Sequence, residues 1–386
     1  MEYTTARIAP EPLRERKHAA RGSIDLPFAA LTLLLLTIGV VMVLSASYAR
    51  AYYSASTGHN AAYYFLRQLG FALAGTAAMF VFSRIPMSFY RRMSFPLLAV
   101  SVALLAVVPV IGVSQGDAKR WIDLGFTTFQ PSEIAKIAVI IYFSALICRY
   151  KGAMGTFRYG ILPFAAVLGL IVGLLVLEPH FSAAIIIIAI GGVMLFLGGV
   201  KLRWFAGVGV TALAALGVII TFFPYASGRI STWLDPFANT SGDGYQIVQS
   251  LYSIGSGGLF GLGLGQGRQT YMYLPEEHND FIFAVVCEEL GFMGALAILL
   301  LFAALIVRGY ILAMHMRDRF SFLVTAGITT LLAIQVILNV AVVTNLVPCT
   351  GISLPFFSYG GTALMIQLGE MGIILSASRD IPVWRS

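Results

Sequence analysis

PHFSAAIIIIAIGGVMLFLGGVKLR, residues 179 to 203, carries no Asp, Glu, Lys or Arg from Pro179 to Val200 and then sets down Lys201 and Arg203. The hydrocarbon core of a bilayer is roughly 30 Å thick, which about 20 residues of helix cross. Inside it every backbone N–H and C=O must be paired within the segment, so a run of this kind is a helix. The basic residues at its end mark the cytoplasmic side.

The runs 26–49, 93–116, 159–177 and 204–228 are equally free of charge. Three more spans carry ionisable groups: 63–83 with Arg67, 132–148 with Glu133 and Lys136, and 281–307 with Glu288 and Glu289. The uncharged run 320–369 is too long for one crossing and is broken by Pro348 and Pro355, so it splits into 320–347 and 360–378. The expectation is an all-α integral membrane protein of ten transmembrane helices with large extracytoplasmic loops. It consists of a cytoplasmic tail over 1–25, a membrane domain over 26–378 and a second cytoplasmic tail over 379–386.

Composition agrees: of 386 residues 58% are hydrophobic and 11% charged, outside the range of soluble domains. The net charge of +7 does not point to nucleic acid, because most basic residues sit in short gaps between apolar runs. With both termini inside, the cytoplasmic segments collect Arg7, Arg14, Arg16, Lys17 and Arg21, then Arg84, Arg91 and Arg92, Arg149, Lys151 and Arg158, Lys201 and Arg203, Arg308, Arg317 and Arg319, and Arg379 and Arg385. The first apolar run exceeds the 7 to 15 residues usual for a signal-peptide core and is read as helix one. Cys148, Cys287 and Cys349 are an odd count that implies no disulfide framework.

Arg50, Arg67, Lys119, Arg120, Lys136, Arg229 and Arg268 break the pattern, falling in the membrane or on the outer side with most of the acids. Three long outer segments, 117–133, 229–280 and 345–361, are rich in turn formers and aromatics and are expected to pack as a cap. Gly257, Gly261 and Gly265 recur every four residues, which suits either a short packed helix or a loop. Neither a Walker loop nor a dinucleotide fingerprint is present, so ATP and NAD are not expected.

The segment LPEEHNDF, 274–281, concentrates Glu276, Glu277, His278 and Asp280 before a long apolar run. Acids there stabilise a helix N-terminus, and this is the expectation for Glu276 and Glu277. Glu133 and Lys136 are spaced to pair on one helix face; alternatively Lys136, with Lys119, Arg120, Arg229 or Arg268, meets an anionic head group. Glu288, Glu289 and Glu370 lie deep in apolar runs, where acids are functional or tightly bonded. Hydrogen-bonded structural glue ranks ahead of direct chemistry for them. His180 has no second His or Cys at ligand spacing, so zinc is not expected.

RWIDLGFTTFQPSEIAK (120–136), DGYQIVQSLYSIGSGGLFGLGLGQG (243–267), LPEEHNDFIFAVVCEELGFMG (274–294) and NVAVVTNLVPCTGISLPFFSYGGTA (339–363) resemble the SEDS family, which includes FtsW, RodA and SpoVE. The resemblance implies the ten-helix SEDS fold and a peptidoglycan glycosyltransferase that polymerises lipid II into β-1,4 glycan strands at the outer face of the bacterial cytoplasmic membrane. It also implies a class B penicillin-binding protein as partner, within a division or elongation complex. By the same resemblance Asp280 is the catalytic carboxylate. The substrate-binding candidates beside it are Lys119, Arg120, Glu133, Lys136, Arg229, Arg268, His278 and Ser358, with a divalent cation, Mg or Mn, as a candidate cofactor. His180, Ser182, Asn279, Thr362 and Ala363 depart from the usual family motifs, which bears on the branch; the basic N-terminal tail and the EPHFS turn favour FtsW/SpoVE. The alternatives are an elongation-type RodA polymerase and a lipid II flippase, the latter suggested by the buried Lys136, Glu288, Glu289 and Glu370. A pure scaffold is a third class.

Overall fold

The structure, a computed structural model, describes residues 22–381 apart from 116, 117, 206, 208, 210–223, 241 and 243. Most of the expected span at 204–228, most of the N-terminal tail and the end of the C-terminal tail lie outside the described residues, as do Gly116, Asp117 and Asp243.

Among the described residues nine helical stretches are long and apolar enough to cross a membrane. They are α1 (Leu26–Tyr53), α2 (Tyr63–Phe82), α3 (Met87–Ile111), α4 (Pro131–Arg149), α5 and α6 taken together (Phe157–Gly160 and Leu162–Leu177), α7 (Phe181–Gly198), α10 (Ile282–Met314), α11 (Arg319–Val343) and α12 (Gly361–Ser378). Two shorter helices, α8 (Pro224–Leu234) and α9 (Tyr245–Gly257), belong to the long segment before α10. Helix α3 starts earlier than its apolar run because Arg91 and Arg92 extend it at the polar end.

Lipid tails are as apolar as leucine, so these helices associate through close packing and internal polar bonds rather than by escaping water. Helix α4 is buried on almost every side and packs against α3, α7, α11 and α12; α12 lies along α2, and α10 contacts α1, α9 and α11. At the end opposite Asp280, Asp25 caps α1 by accepting the Phe28 N–H at 2.9 Å and pairs with Arg308 of α10 at 2.5 Å. That staple ties the start of the first span to the far end of α10, the helix that follows the Asp280 turn.

Two outer segments take forms that the sequence left open. The first outer segment holds β2 (Ala118–Asp123) and β3 (Thr128–Phe129), which with β1 (Val113–Gln115), from the end of the expected span 93–116, form a small antiparallel sheet in the order β1-β2-β3. Trp121 faces Val113, Lys119 faces Ser114 and Ile122 faces Phe129 across it. Strand alternation sends neighbours to opposite faces, so Lys119 is exposed while Arg120 turns toward the α6–α7 corner.

Of the two readings of the glycine run, the structure shows the loop. Helix α9 stops at Gly257, and Gly258, Gly261, Gly263 and Gly265 all have positive φ. Opposite it α10 breaks at Gly291 (φ 68°). A broken helix leaves backbone groups unpaired, which is costly inside a membrane. The loop supplies their partners: Leu262 and Gly263 donate to Glu288 and Glu289 carbonyls at 3.0 and 2.9 Å, and Phe292 and Met293 donate to Gly258 and Leu259 at 2.9 and 3.1 Å. A Cβ on Gly261 or Gly291 would strike the opposing backbone, which is why both positions are glycine.

Candidate active site

LPEEHNDF folds as a tight turn pinned at both ends by fully buried apolar side chains, Leu274 and Phe281. Glu276 sits at φ 56° and its carbonyl accepts the Asn279 N–H at 3.0 Å. The turn lifts Glu276 to the surface and leaves Asp280 half-buried. Helix α10 begins only at Ile282, so Glu276 and Glu277 do not stabilise its N-terminus as expected. Glu277 instead points inward, fully buried, and accepts two hydrogen bonds from Arg50 of α1, from Nε at 2.6 Å and Nη2 at 2.7 Å.

The next three residues are held through their backbone carbonyls. Tyr359 N–H donates to His278 at 2.8 Å, the Ser358 hydroxyl to Asn279 at 2.8 Å, and the Asn339 amide of α11 to Asp280 at 2.8 Å. The Ser358 hydroxyl also accepts the Leu354 N–H at 2.7 Å, so its hydrogen-bonding capacity goes into the turn rather than standing open for a ligand. Asn339 donates at 2.6 Å to Ile352 as well, joining the Asp280 turn to the 345–360 segment. Beside the Asp280 carboxylate lies Gly351 (φ 62°), where a Cβ would stand 3.0 Å from Oδ2.

Burial pushes the Asp280 carboxyl up to about 6, helped by the charge of Glu276; Arg120, Arg229 and His278 pull the other way. Burial alone would raise Glu277 too, but the attraction of His278 and Arg50 outweighs that and holds it below its ordinary value. His278 is buried, its ring 4.6 Å from that of Tyr64 and 5.6 Å from that of Tyr359. Its Nδ1 is 3.7 Å from Glu277 and makes no hydrogen bond, and the ring is packed between the two aromatics.

The other candidates fall at different depths. Arg120 donates to the Pro179 carbonyl at 2.6 Å and keeps a buried Nε with no partner. Arg229 donates to the Cys349 carbonyl, two residues from Gly351. Arg268 is exposed, and its backbone N–H is held by Glu288 at 2.8 Å. Glu133 and Lys136 pair at 2.7 Å in the first turns of α4, with Glu370 of α12 acting on both charges. Glu288 accepts from Ser253, Ser256, Arg268 and Gln269, and Glu289 accepts from Ser45 at 2.5 Å; both knit the glycine loop to α10 and α1. At the α6–α7 corner, burial pushes Glu178 up to about 7 against the pull of Arg120. Burial and then the charges of Arg120 and Lys136 push His180 down to about 3, so this imidazole is neutral at physiological pH. Among the described residues no three His, Cys, Asp or Glu side chains converge as a metal site.

Sequence reasoning assigned no site role to Arg50, Asn339 or Gly351. Arg50 had a signal, being a cation at the outer end of an otherwise uncharged span, and Asn339 is a polar residue within an apolar one.

A family model covering FtsW, RodA and SpoVE, described as cell cycle protein, matches residues 26–381. The chain is 40% identical over 368 residues to the "Probable peptidoglycan glycosyltransferase FtsW" of Trichlorobacter lovleyi, covering 95% of this chain and 96% of that one. It is 38% identical over 361 residues to stage V sporulation protein E of Bacillus subtilis, covering 93% and 98%. Among solved structures it resembles one described as the structural coordination of polymerization and crosslinking by a peptidoglycan synthase complex, with TM-score 0.77, 26% identity and coverage of 94% and 99%. It likewise resembles the rod shape determining protein RodA of Thermus thermophilus, with TM-score 0.68, 26% identity and coverage of 94% and 98%.

Proposed function

The chain belongs to the FtsW/RodA/SpoVE family and is a multi-pass membrane peptidoglycan glycosyltransferase, and on that premise we propose that Asp280 is the general base with which it polymerises lipid II. The observation that carries this is the carboxylate itself: half-buried, raised toward neutrality, and fixed by ties on its own residue and on the three before it.

A sugar hydroxyl is a weak nucleophile at neutral pH, and a positioned base contributes typically 10²–10⁴-fold. Asp280 takes the proton of the acceptor's 4-hydroxyl as its oxygen bonds to the donor's anomeric carbon. The bond from that carbon to the lipid diphosphate breaks, and the electron pair leaves with the diphosphate. One displacement inverts an α-linked diphosphate to a β-1,4 link, with no covalent enzyme intermediate. Charge grows on the departing diphosphate, and fixed cations stabilise it without reorganising. Arg120, with its unpartnered buried Nε, and Arg229 fill that role, both being close enough to act on Asp280. Lys119, exposed on the sheet, contributes to attraction of the anionic substrate. A divalent cation carried with the diphosphate would serve the same charge.

The basic residues Arg84, Arg91, Arg149, Lys151, Arg308 and Arg379 at the opposite end support an outward-facing Asp280 end and cytoplasmic termini. The relatives named FtsW and stage V sporulation protein E favour the division and sporulation branch. Resemblance to a complex that coordinates polymerization with crosslinking supports a class B penicillin-binding protein as partner. The test is to incubate the purified chain and that partner with lipid II and resolve products on gels. A ladder of glycan chains is expected. No polymer, with lipid II instead crossing liposomes that contain the chain, would replace this reading by the transporter.

A further inference from the structure

Glu277 is fully buried, and the cation hydrogen-bonded to it lies outside its own loop. Its partner is Arg50, in the last turn of α1, with a side chain one-third exposed and both hydrogen bonds near 2.7 Å. We propose that Arg50 is a positioning residue: its bidentate pair with Glu277 fixes the catalytic turn against α1 and thereby sets where Asp280 stands. This rests on Asp280 being the base.

The ties on the turn come from different parts of the fold. His278 and Asn279 are held by the 345–360 segment and Asp280 by α11, all through neutral bonds to backbone carbonyls. Glu277 is held by α1 through an ionic, two-pronged bond, the strongest and most directional kind. One turn deeper on α1, Ser45 donates to Glu289 at 2.5 Å and accepts the Gly265 N–H at 3.0 Å. Ser45 keys α1 to both ends of the 265–289 stretch and Arg50 keys it to the turn between them, so a shift of α1 is transmitted to the turn.

Loss of Arg50 would leave the Glu277 carboxylate with His278 Nδ1 as its nearest other group, 3.7 Å away and without a hydrogen bond. A carboxylate stranded in the interior moves to that nitrogen and draws the ring from its contacts with Tyr64 of α2 and Tyr359. The His278 backbone, two residues before Asp280, moves with it. Among the described residues the charged and titratable groups around the turn include Glu276 and His278 within it, Arg50 on α1, Tyr64 on α2, Arg120 on β2, Arg229 on α8, and Cys349 and Tyr359.

The test uses the full chain with its partner and four variants: Arg50→Met, Arg50→Lys, Arg50→Met/Glu277→Gln, and Asp280→Asn. Polymerisation rate, its dependence on pH, and thermal midpoint are read for each. Arg50→Met is expected to lose about tenfold to a hundredfold in rate, the scale of a misplaced catalytic group, with the acid limb of its pH profile displaced. Arg50→Lys, which keeps one ionic bond, should fall between Arg50→Met and wild type. The double variant removes both charges and is expected to regain the thermal midpoint without the rate. The proposal is overturned if the double variant regains rate and midpoint together, since the pair would then be structural only, or if Arg50→Met polymerises as wild type. Should Asp280→Asn polymerise normally, the base assignment fails and this proposal falls with it, whatever the Arg50 variants do.

Discussion

Breaking the Glu133–Lys136 pair one partner at a time separates its structural role from any role in handling substrate. The ammonium lies 2.8 and 2.7 Å from the two carboxylate oxygens, and both side chains are under 10% exposed. At that separation and an effective dielectric near 20, the attraction is about 6 kcal/mol. Desolvating the two ions costs several kcal/mol each, so the intact pair contributes little net stability, while stranding one partner costs about 3–5 kcal/mol. Lys136→Met should show that cost, because it strands the Glu133 carboxylate in the interior. Glu133→Gln strands the Lys136 ammonium and should cost within the same range. The double variant Glu133→Gln/Lys136→Met should return to within about 1–2 kcal/mol of wild type, a strongly non-additive cycle. Denaturation of the purified protein and polymerisation rate would be measured on all four forms. Additive losses would refute the coupling of these charges. A stable double variant that polymerises normally would remove Glu133 and Lys136 from the substrate site; a stable but inactive one would place the pair in it.

Asn339→Ala leaves the Asp280 and Ile352 carbonyls without their donor, at about 1–3 kcal/mol each, so a loss of about 2–6 kcal/mol is expected by thermal denaturation. Gly351→Ala forces a side chain into a left-handed backbone conformation, costing about 1 kcal/mol of stability. Its methyl would also press on Asp280 Oδ2, so polymerisation should fall further than that small loss of stability accounts for. The pH dependence comes from the same carboxyl. Its value of about 6 lies above the ordinary 3.8, and the base must be ionised, so the rate should rise with pH through about 6 and level off above it. Arg120→Gln removes a charge that favours the ionised form and should move that limb to higher pH, measured as initial rate against pH.

The membrane spans were legible because length and absence of charge decide them almost alone. The run 179–200 and the helix Phe181–Gly198 nearly coincide for that reason. The sheet at 113–129 was not, since strands this short, set among turn residues, leave no periodic signal. The glycine repeat carried two readings, and the deciding fact, the break of α10 at Gly291, is a tertiary one. The pairing of Glu133 with Lys136 followed from spacing on one helix. Glu277 was misjudged as a helix-end acid because its partner Arg50 lies far away in sequence, and only the fold brings α1 beside the turn. The prominence of Asp280 came from family resemblance; composition and spacing marked the cluster without separating it from Glu276, Glu277 or His278.

The central claim is tested most directly by the polymerisation rate of Asp280→Asn, purified with its partner and shown by thermal denaturation to be folded. Asparagine keeps the size of the side chain and cannot accept the hydroxyl proton, so the rate should drop by about 10²–10⁴-fold while substrate binding survives. A folded, partner-bound Asp280→Asn that polymerises lipid II within about twofold of wild type would contradict the account.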